Sequence, residues 1–159
     1  MTRRSYSTVL IVADLTPQGR SSLRIGCRGR RTGHQDGREA DPVAYRTDPD
    51  ALRAVVPEPL TIDDPLVRFE VMKMGEVDGF GPYTESGQAI AVELDGEHGE
   101  YLRAMYLDNF AATAAGRELS AFPKVVGTPG LAVDTGALVG TLDRGAERVA
   151  TATMPYKWK

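Results

Sequence analysis

A chain of 159 residues, 42% hydrophobic and 26% charged, is long enough for one domain with a real core and has ordinary globular composition. Its net charge of -3 leaves no electrostatic footprint for nucleic acid or an anionic membrane, and no apolar run approaches the roughly 20 residues a bilayer-spanning helix needs. A single cysteine, Cys27, excludes an internal disulfide and a cysteine-based metal site, and fits a reducing, cytoplasmic compartment.

The first 37 residues stand apart. "TVLIVADL", Thr8 to Leu15, has the content of a strand, but "RIGCRGRRTGHQDG" is rich in Arg and Gly, follows neither period, and reads as a mobile basic arm. The basic start and short apolar stretch do not complete an export signal, because Asp14 interrupts the run and no small-residue cleavage pattern follows. From Asp41 the pattern sharpens. "TDPDALRAVV" predicts a short helix capped by Thr47 or Asp48, with Pro49 at its first position, Leu52, Val55 and Val56 inward, and Pro57 and Pro59 ending it. "LVRFEVMKM" alternates as a strand, with Val67, Phe69 and Val71 on the apolar face and Glu70 on the other.

"VDGFGPYTESG" reads as a loop that carries Glu85, and "QAIAVEL", "DGEHGE" and "YLRAMYL" as a hairpin. "DNFAATAAGREL" predicts a helix capped near Asp108 or Asn109. After Pro129, "LAVD" and "TGALVGTLDRGAERVATATM" supply short strands with glycine turns. Short strands and two helices indicate an α+β domain, mainly antiparallel β.

Phosphate loops, GxGxxG, GxSxG, HExxH and CxxC are all absent from the sequence. His34 and His98 both lie in polar, Gly-rich stretches, where a histidine is usually just solvated, so metal centres and histidine triads are poor expectations. What remains is "SAFPKVVG", Ser120 to Gly127, which places one lysine in an apolar run directly after a proline. Either Lys124 reaches water from a turn, or it is held where its charge is hard to keep, and only the second makes it chemically useful.

Six segments, "YRTDPDALRAVVPEPLTIDDPLVRFEVMKM", "YTESGQAIAV", "YLRAMYLDN", "GRELSAFPK", "ALVGTLDRG" and "RVATATMPYK", carry a resemblance to the acetoacetate decarboxylases, in that family's order and spacing. The likeness runs from about Arg38 to Lys159; residues 1–37 show none, and the family continues past the equivalent of Lys159. The resemblance implies an incomplete version of the family's cone- or barrel-like sheet with short helices. Residues 38–159 would then be a decarboxylase-like domain lacking its C-terminal part, preceded by the arm.

The activity implied is metal-free and cofactor-free decarboxylation of acetoacetate, a small β-keto acid, to acetone and carbon dioxide through a lysine Schiff base. Lys124 matches the family's Schiff-base lysine, Glu85 and Glu70 match two active-site glutamates, and Arg38 matches an arginine at the mouth of the pocket. The family's known route to a reactive lysine is desolvation or a neighbouring cation. A free lysine, with its pKa near 10.4, is neutral in roughly one molecule in a few thousand at pH 7. Many members carry a second lysine after the first; this chain has Val125 there, and Phe122, Val125 and Val126 are the expected apolar walls. The family also implies a homo-oligomer. Two other readings stand beside decarboxylation: a Schiff-base aldolase or dehydratase acting on other oxo acids, and a non-catalytic remnant.

Overall fold

The computed structural model describes residues 22–24 and 39–155. Within them the chain runs β1 (Ser22–Arg24), β2 (Glu39–Arg46), α1 (Pro49–Arg53), β3 (Leu66–Met74), β4 (Tyr83–Leu94), β5 (Glu97–Leu107), α2 (Phe110–Ser120), β6 (Lys124–Val126), β7 (Thr128–Asp134), β8 (Ala137–Arg144) and β9 (Glu147–Pro155). The possible strand at Thr8–Leu15 and Arg38, the arginine expected at the pocket mouth, lie outside the described residues.

Local chemistry accounts for the element ends. Asp48 is the cap of α1: its carboxylate accepts the Asp50 N–H at 2.9 Å, and Pro49 follows where a missing N–H costs nothing. Asp95 and Gly96, at φ 51° and 82°, form the two-residue turn that joins β4 to β5; both central residues are left-handed, which matches the twist of the paired strands. Asn109 caps α2 by accepting the Ala112 N–H at 2.9 Å.

Six strands form the larger sheet in the order β1-β5-β4-β3-β2, and β6 joins β5 as well. Two short strands thus share one side of β5: β1 runs antiparallel against Glu100–Leu102, and β6 runs parallel against Met105–Leu107. Three residues from the segment expected to be a mobile arm are therefore hydrogen-bonded into the sheet. The smaller sheet is the antiparallel meander β7-β8-β9. Neither sheet closes on itself among the described residues, in keeping with an incomplete α+β, mainly antiparallel fold.

The period-2 alternation of β3 decides which face of the large sheet is the core. Phe69 and Val71 meet Leu142, Ala150 and Ala152 of the small sheet, so that the two sheets pack face to face. Farther along the same face, Val67, Ile90, Val92 and Tyr101 are covered by α1 and the turn after it through Leu52, Val56 and Leu60. The opposite face is covered by α2, whose Ala112 packs with Met105 and Leu107 of β5.

One stretch departs from the sequence reading. Tyr83–Gly87, expected as loop, is the first part of β4, because it is paired on both sides: Glu85 lies opposite Met72 of β3 and Leu107 of β5. A strand between two others hides its side chains whatever its polarity. Glu85 is accordingly buried, at 4% exposure, and Ser86 at 0%.

Candidate active site

The register of the large sheet builds the site. Cross-strand partners share a face, and Glu70 of β3, Gly87 of β4, Met105 of β5 and Lys124 of β6 are successive partners in one row. Glu85 stands two residues from Gly87 and so on that same face. Residues 70, 85 and 124, far apart in sequence, are thus gathered on the side of the sheet that α2 covers.

Lys124 is delivered to the row by the end of α2. Ala121 adopts the left-handed conformation, φ 52° and ψ 27°, and turns the chain off the helix. The Phe122 N–H donates to the Gly116 carbonyl at 3.1 Å, and the Pro123 carbonyl accepts the Met105 N–H at 3.1 Å. These bonds tie the "AFP" segment to the helix on one side and the sheet on the other, and Lys124 starts β6 already in register.

Lys124 does not reach water from a turn: its side chain is 10% exposed and that of Glu85 is 6% exposed. The Nζ donates to Glu85 Oε2 at 3.2 Å and lies 5.6 Å from the centre of the Phe122 ring. In such a poorly hydrated place the two charges interact far more strongly than at the surface, and neither can lose the other cheaply. A carboxylate within hydrogen-bond reach of an amine can also take its proton and return it.

Glu70 is half-buried, and no other described residue forms a hydrogen bond or ion pair with its carboxylate. Its Cγ and Oε1 lie over Gly87: a Cβ at that glycine would stand 3.9 Å from each. A side chain at position 87 would therefore pack against that of Glu70, and the glycine leaves this contact unmade. For Arg38 the structure describes only its neighbour Glu39, which opens β2 opposite Lys73.

The expected walls need correction. Val125 and Val126 are 46% and 51% exposed, because β6 is a three-residue strand at the rim of the sheet. The apolar surroundings come from Phe122 with Met105, Leu107 and Ala112. Val125, paired with Tyr106, lies on the face of β6 opposite Lys124, as alternation along a strand requires. The position where many relatives carry a second lysine is therefore directed away from the first. Sequence reasoning missed Met105, Gly87 and Gly116; the available signal was a glycine inside a strand and another inside a helix, both of which commonly mark close approach. Among the described residues no cluster of three His, Cys, Asp or Glu side chains is placed to hold a metal ion, and no helix is long and apolar enough to cross a membrane.

Comparison with known proteins bears on the family and the fold. The family model for acetoacetate decarboxylase covers residues 15–159, taking in part of the segment before Arg38. The acetoacetate decarboxylase of Clostridium acetobutylicum is 64% identical over 122 residues, which are 77% of this chain and 50% of that protein. A solved acetoacetate decarboxylase structure, 64% identical, superposes with a TM-score of 0.74 over 77% of this chain and 50% of its own. The structure from Legionella pneumophila, 43% identical, does so with a TM-score of 0.72 over 77% of this chain and 49% of its own. The chain spans about half the length of the curated relatives it matches. With the fold, the gathered carboxylates and the buried lysine all on one sheet face, and a family match over most of its length, this chain belongs to the acetoacetate decarboxylase family.

Proposed function

We propose that this chain carries the Schiff-base site of a β-keto acid decarboxylase, with acetoacetate as the first substrate. The observation that carries the reading is the buried Lys124–Glu85 pair, 3.2 Å apart, beside the half-buried Glu70. The high identity to proteins named acetoacetate decarboxylase supports the choice of substrate.

The reaction needs a neutral amine, and Glu85 Oε2, 3.2 Å from Nζ, is placed to take its proton. The neutral amine then adds to the ketone carbon, and the carbinolamine loses water to give an iminium. Glu85, hydrogen-bonded to the nitrogen, supplies and removes the protons these steps need. The bond between the α-carbon and the carboxylate breaks, carbon dioxide leaves, and the electron pair moves through the new enamine double bond to nitrogen. A carboxylic acid of the site protonates the enamine carbon, and water hydrolyses the resulting iminium to acetone and free lysine. Net, one proton and one acetoacetate give one acetone and one carbon dioxide.

Glu70 is the second carboxyl group, facing the space over Gly87 where the rest of the substrate lies. Arg38 orients the incoming carboxylate. A tight grip on the ground-state carboxylate would not lower the barrier to losing it, so guidance on entry is the useful role. We also infer self-association, supported by Phe110 and Leu119, which stand 77% and 85% exposed on α2, and a reducing compartment, supported by the single cysteine.

Incubation with acetoacetate and borohydride, followed by peptide mass spectrometry, tests the proposal. A reduced adduct on Lys124 is the expected result. No adduct under conditions that trap the Clostridium acetobutylicum relative, or an adduct confined to other lysines, would overturn it. Release of acetone and carbon dioxide separates decarboxylation from an aldolase or dehydratase reaction, which yields neither.

A further inference from the structure

Helix α2 breaks two local rules within six residues. Gly116 sits in the helix interior, where glycine is among the worst formers, and Ala121 sits in the left-handed turn that ends it, where glycine would be the ordinary choice. The backbone at Gly116 does not have the positive φ that would call for glycine. Its reason lies instead in what runs past it. A Cβ built on Gly116 would stand 2.5 Å from Cδ of Lys124, 2.8 Å from its Cε and 3.3 Å from its Nζ. The first two are closer than real carbon atoms approach, and the nearest atoms all belong to that one side chain.

The geometry points to Gly116 as the positioning residue for the reactive lysine. Its bare Cα forms the wall along which the last methylenes of Lys124 run, so that the amine reaches Glu85 rather than solvent. Its carbonyl holds the Phe122 N–H at 3.1 Å and fixes the turn from which the lysine starts. A side chain at 116 does not break the backbone; it evicts the flexible Lys124 from its channel and separates Nζ from Oε2. Gly116 acts through Lys124 and touches no reacting atom itself. This inference rests on the Schiff-base reading only for its functional consequence, since the steric relation is independent of it.

A double-mutant cycle tests the placement without reference to catalysis. Gly116→Ala, Lys124→Ala and the double variant are compared with the parent chain by urea unfolding. Helix propensity alone favours alanine, so Gly116→Ala should stabilise the chain when Lys124→Ala has emptied the channel. It should stabilise less, or destabilise, when the lysine is present. A parent-background variant that fails to fold while the double variant folds is the same coupling in extreme form. Equal effects of Gly116→Ala in both backgrounds would remove Gly116 from any role in placing the lysine.

The functional arm is borohydride trapping with acetoacetate. Gly116→Ala should slow adduct formation at Lys124 about tenfold or more at unchanged cooperativity of unfolding, since misplacement by an ångström can cost about a hundredfold. Trapping at the parent rate would overturn the functional role even if the cycle shows coupling. A parent chain that traps nothing, with coupling present, sinks the Schiff-base reading and upholds the steric one.

Discussion

Lys124 and Glu85 are buried as a hydrogen-bonded pair, and the expected effects of changing either follow from that burial. Lys124→Ala removes the amine that forms the imine in the proposed reaction, so trapping and acetone release should both fall to background. The variant should still unfold cooperatively, because Lys124 lies at the rim strand β6 and not between the two sheets. Acetone release at the parent rate would remove Lys124 from the mechanism. Glu85→Gln keeps the shape and loses the proton carrier. It should slow adduct formation by about 10²–10⁴-fold, the range for loss of one acid-base group. An unchanged trapping rate would reduce Glu85 to a structural partner of the lysine. The sequence marked these two as candidates through "YTESG" and "AFPK", but it did not show the environment of Glu85. Read locally, a carboxylate next to Ser86 and Gly87 belongs to a loop; only the ladders to β3 and β5 show that it is in a strand and under α2.

Helix α2 is the element on which the site depends, and its two ends lend themselves to measurement. Asn109 accepts the Ala112 N–H and donates through Nδ2 to the Phe80 carbonyl at 3.0 Å, so it both starts the helix and anchors the loop between β3 and β4. Asn109→Ala should cost about 1–2 kcal/mol in urea unfolding. At the other end, Ala121→Gly relieves the left-handed conformation at φ 52° and should stabilise by about 1 kcal/mol. No gain in unfolding free energy would mean that the added freedom of glycine in the unfolded chain cancels the relief. Residue type alone narrowed each cap to two neighbours, Thr47 or Asp48 and Asp108 or Asn109, and the structure uses Asp48 and Asn109. Gly116 was present in the quoted "GREL" and unremarkable there, since a helix tolerates a glycine and the lysine that needs it comes eight residues later.

For the molecule as a whole, the contact between the two sheets is one of the buried clusters that hold the fold together. Leu142 is 4% exposed and packs with Phe69 and Val71 across the gap. Leu142→Ala should therefore cost about 2–5 kcal/mol, the range for emptying a buried leucine site. A loss under 1 kcal/mol would show that the small sheet is only loosely docked. Tyr45, which joins the edge strand β2 to that core, adds a pH dependence. Burial raises its phenol above the ordinary tyrosine value, partly offset by the Gln88 Nε2 donor at 2.9 Å and the Arg103 charge. A raised pKa in the folded state means that folding favours the protonated phenol. Its contribution is complete below about pH 10, the unfolded value, and is lost as pH rises through the folded one. Tyr45→Phe should flatten the alkaline limb of the unfolding curve, and an unchanged limb would assign that limb to other groups.

The sequence by itself determined the local elements and the family: alternation marked β3 and the hairpin, capping residues marked the two helices, and "GRELSAFPK" marked the candidate lysine. These are short-range properties, set by a side chain and its neighbours within a few positions. Tertiary structure alone decided that Tyr83–Gly87 is a strand, that Ser22–Arg24 and Lys124–Val126 share one side of β5, and that Val125 points away from the site. It alone put Gly116 against the lysine side chain. Each of those depends on register between segments distant in sequence, where a shift of one residue would move every side chain to the other face. No local pattern records that choice, because it is made by the packing of α2 and the small sheet on opposite faces of the large one.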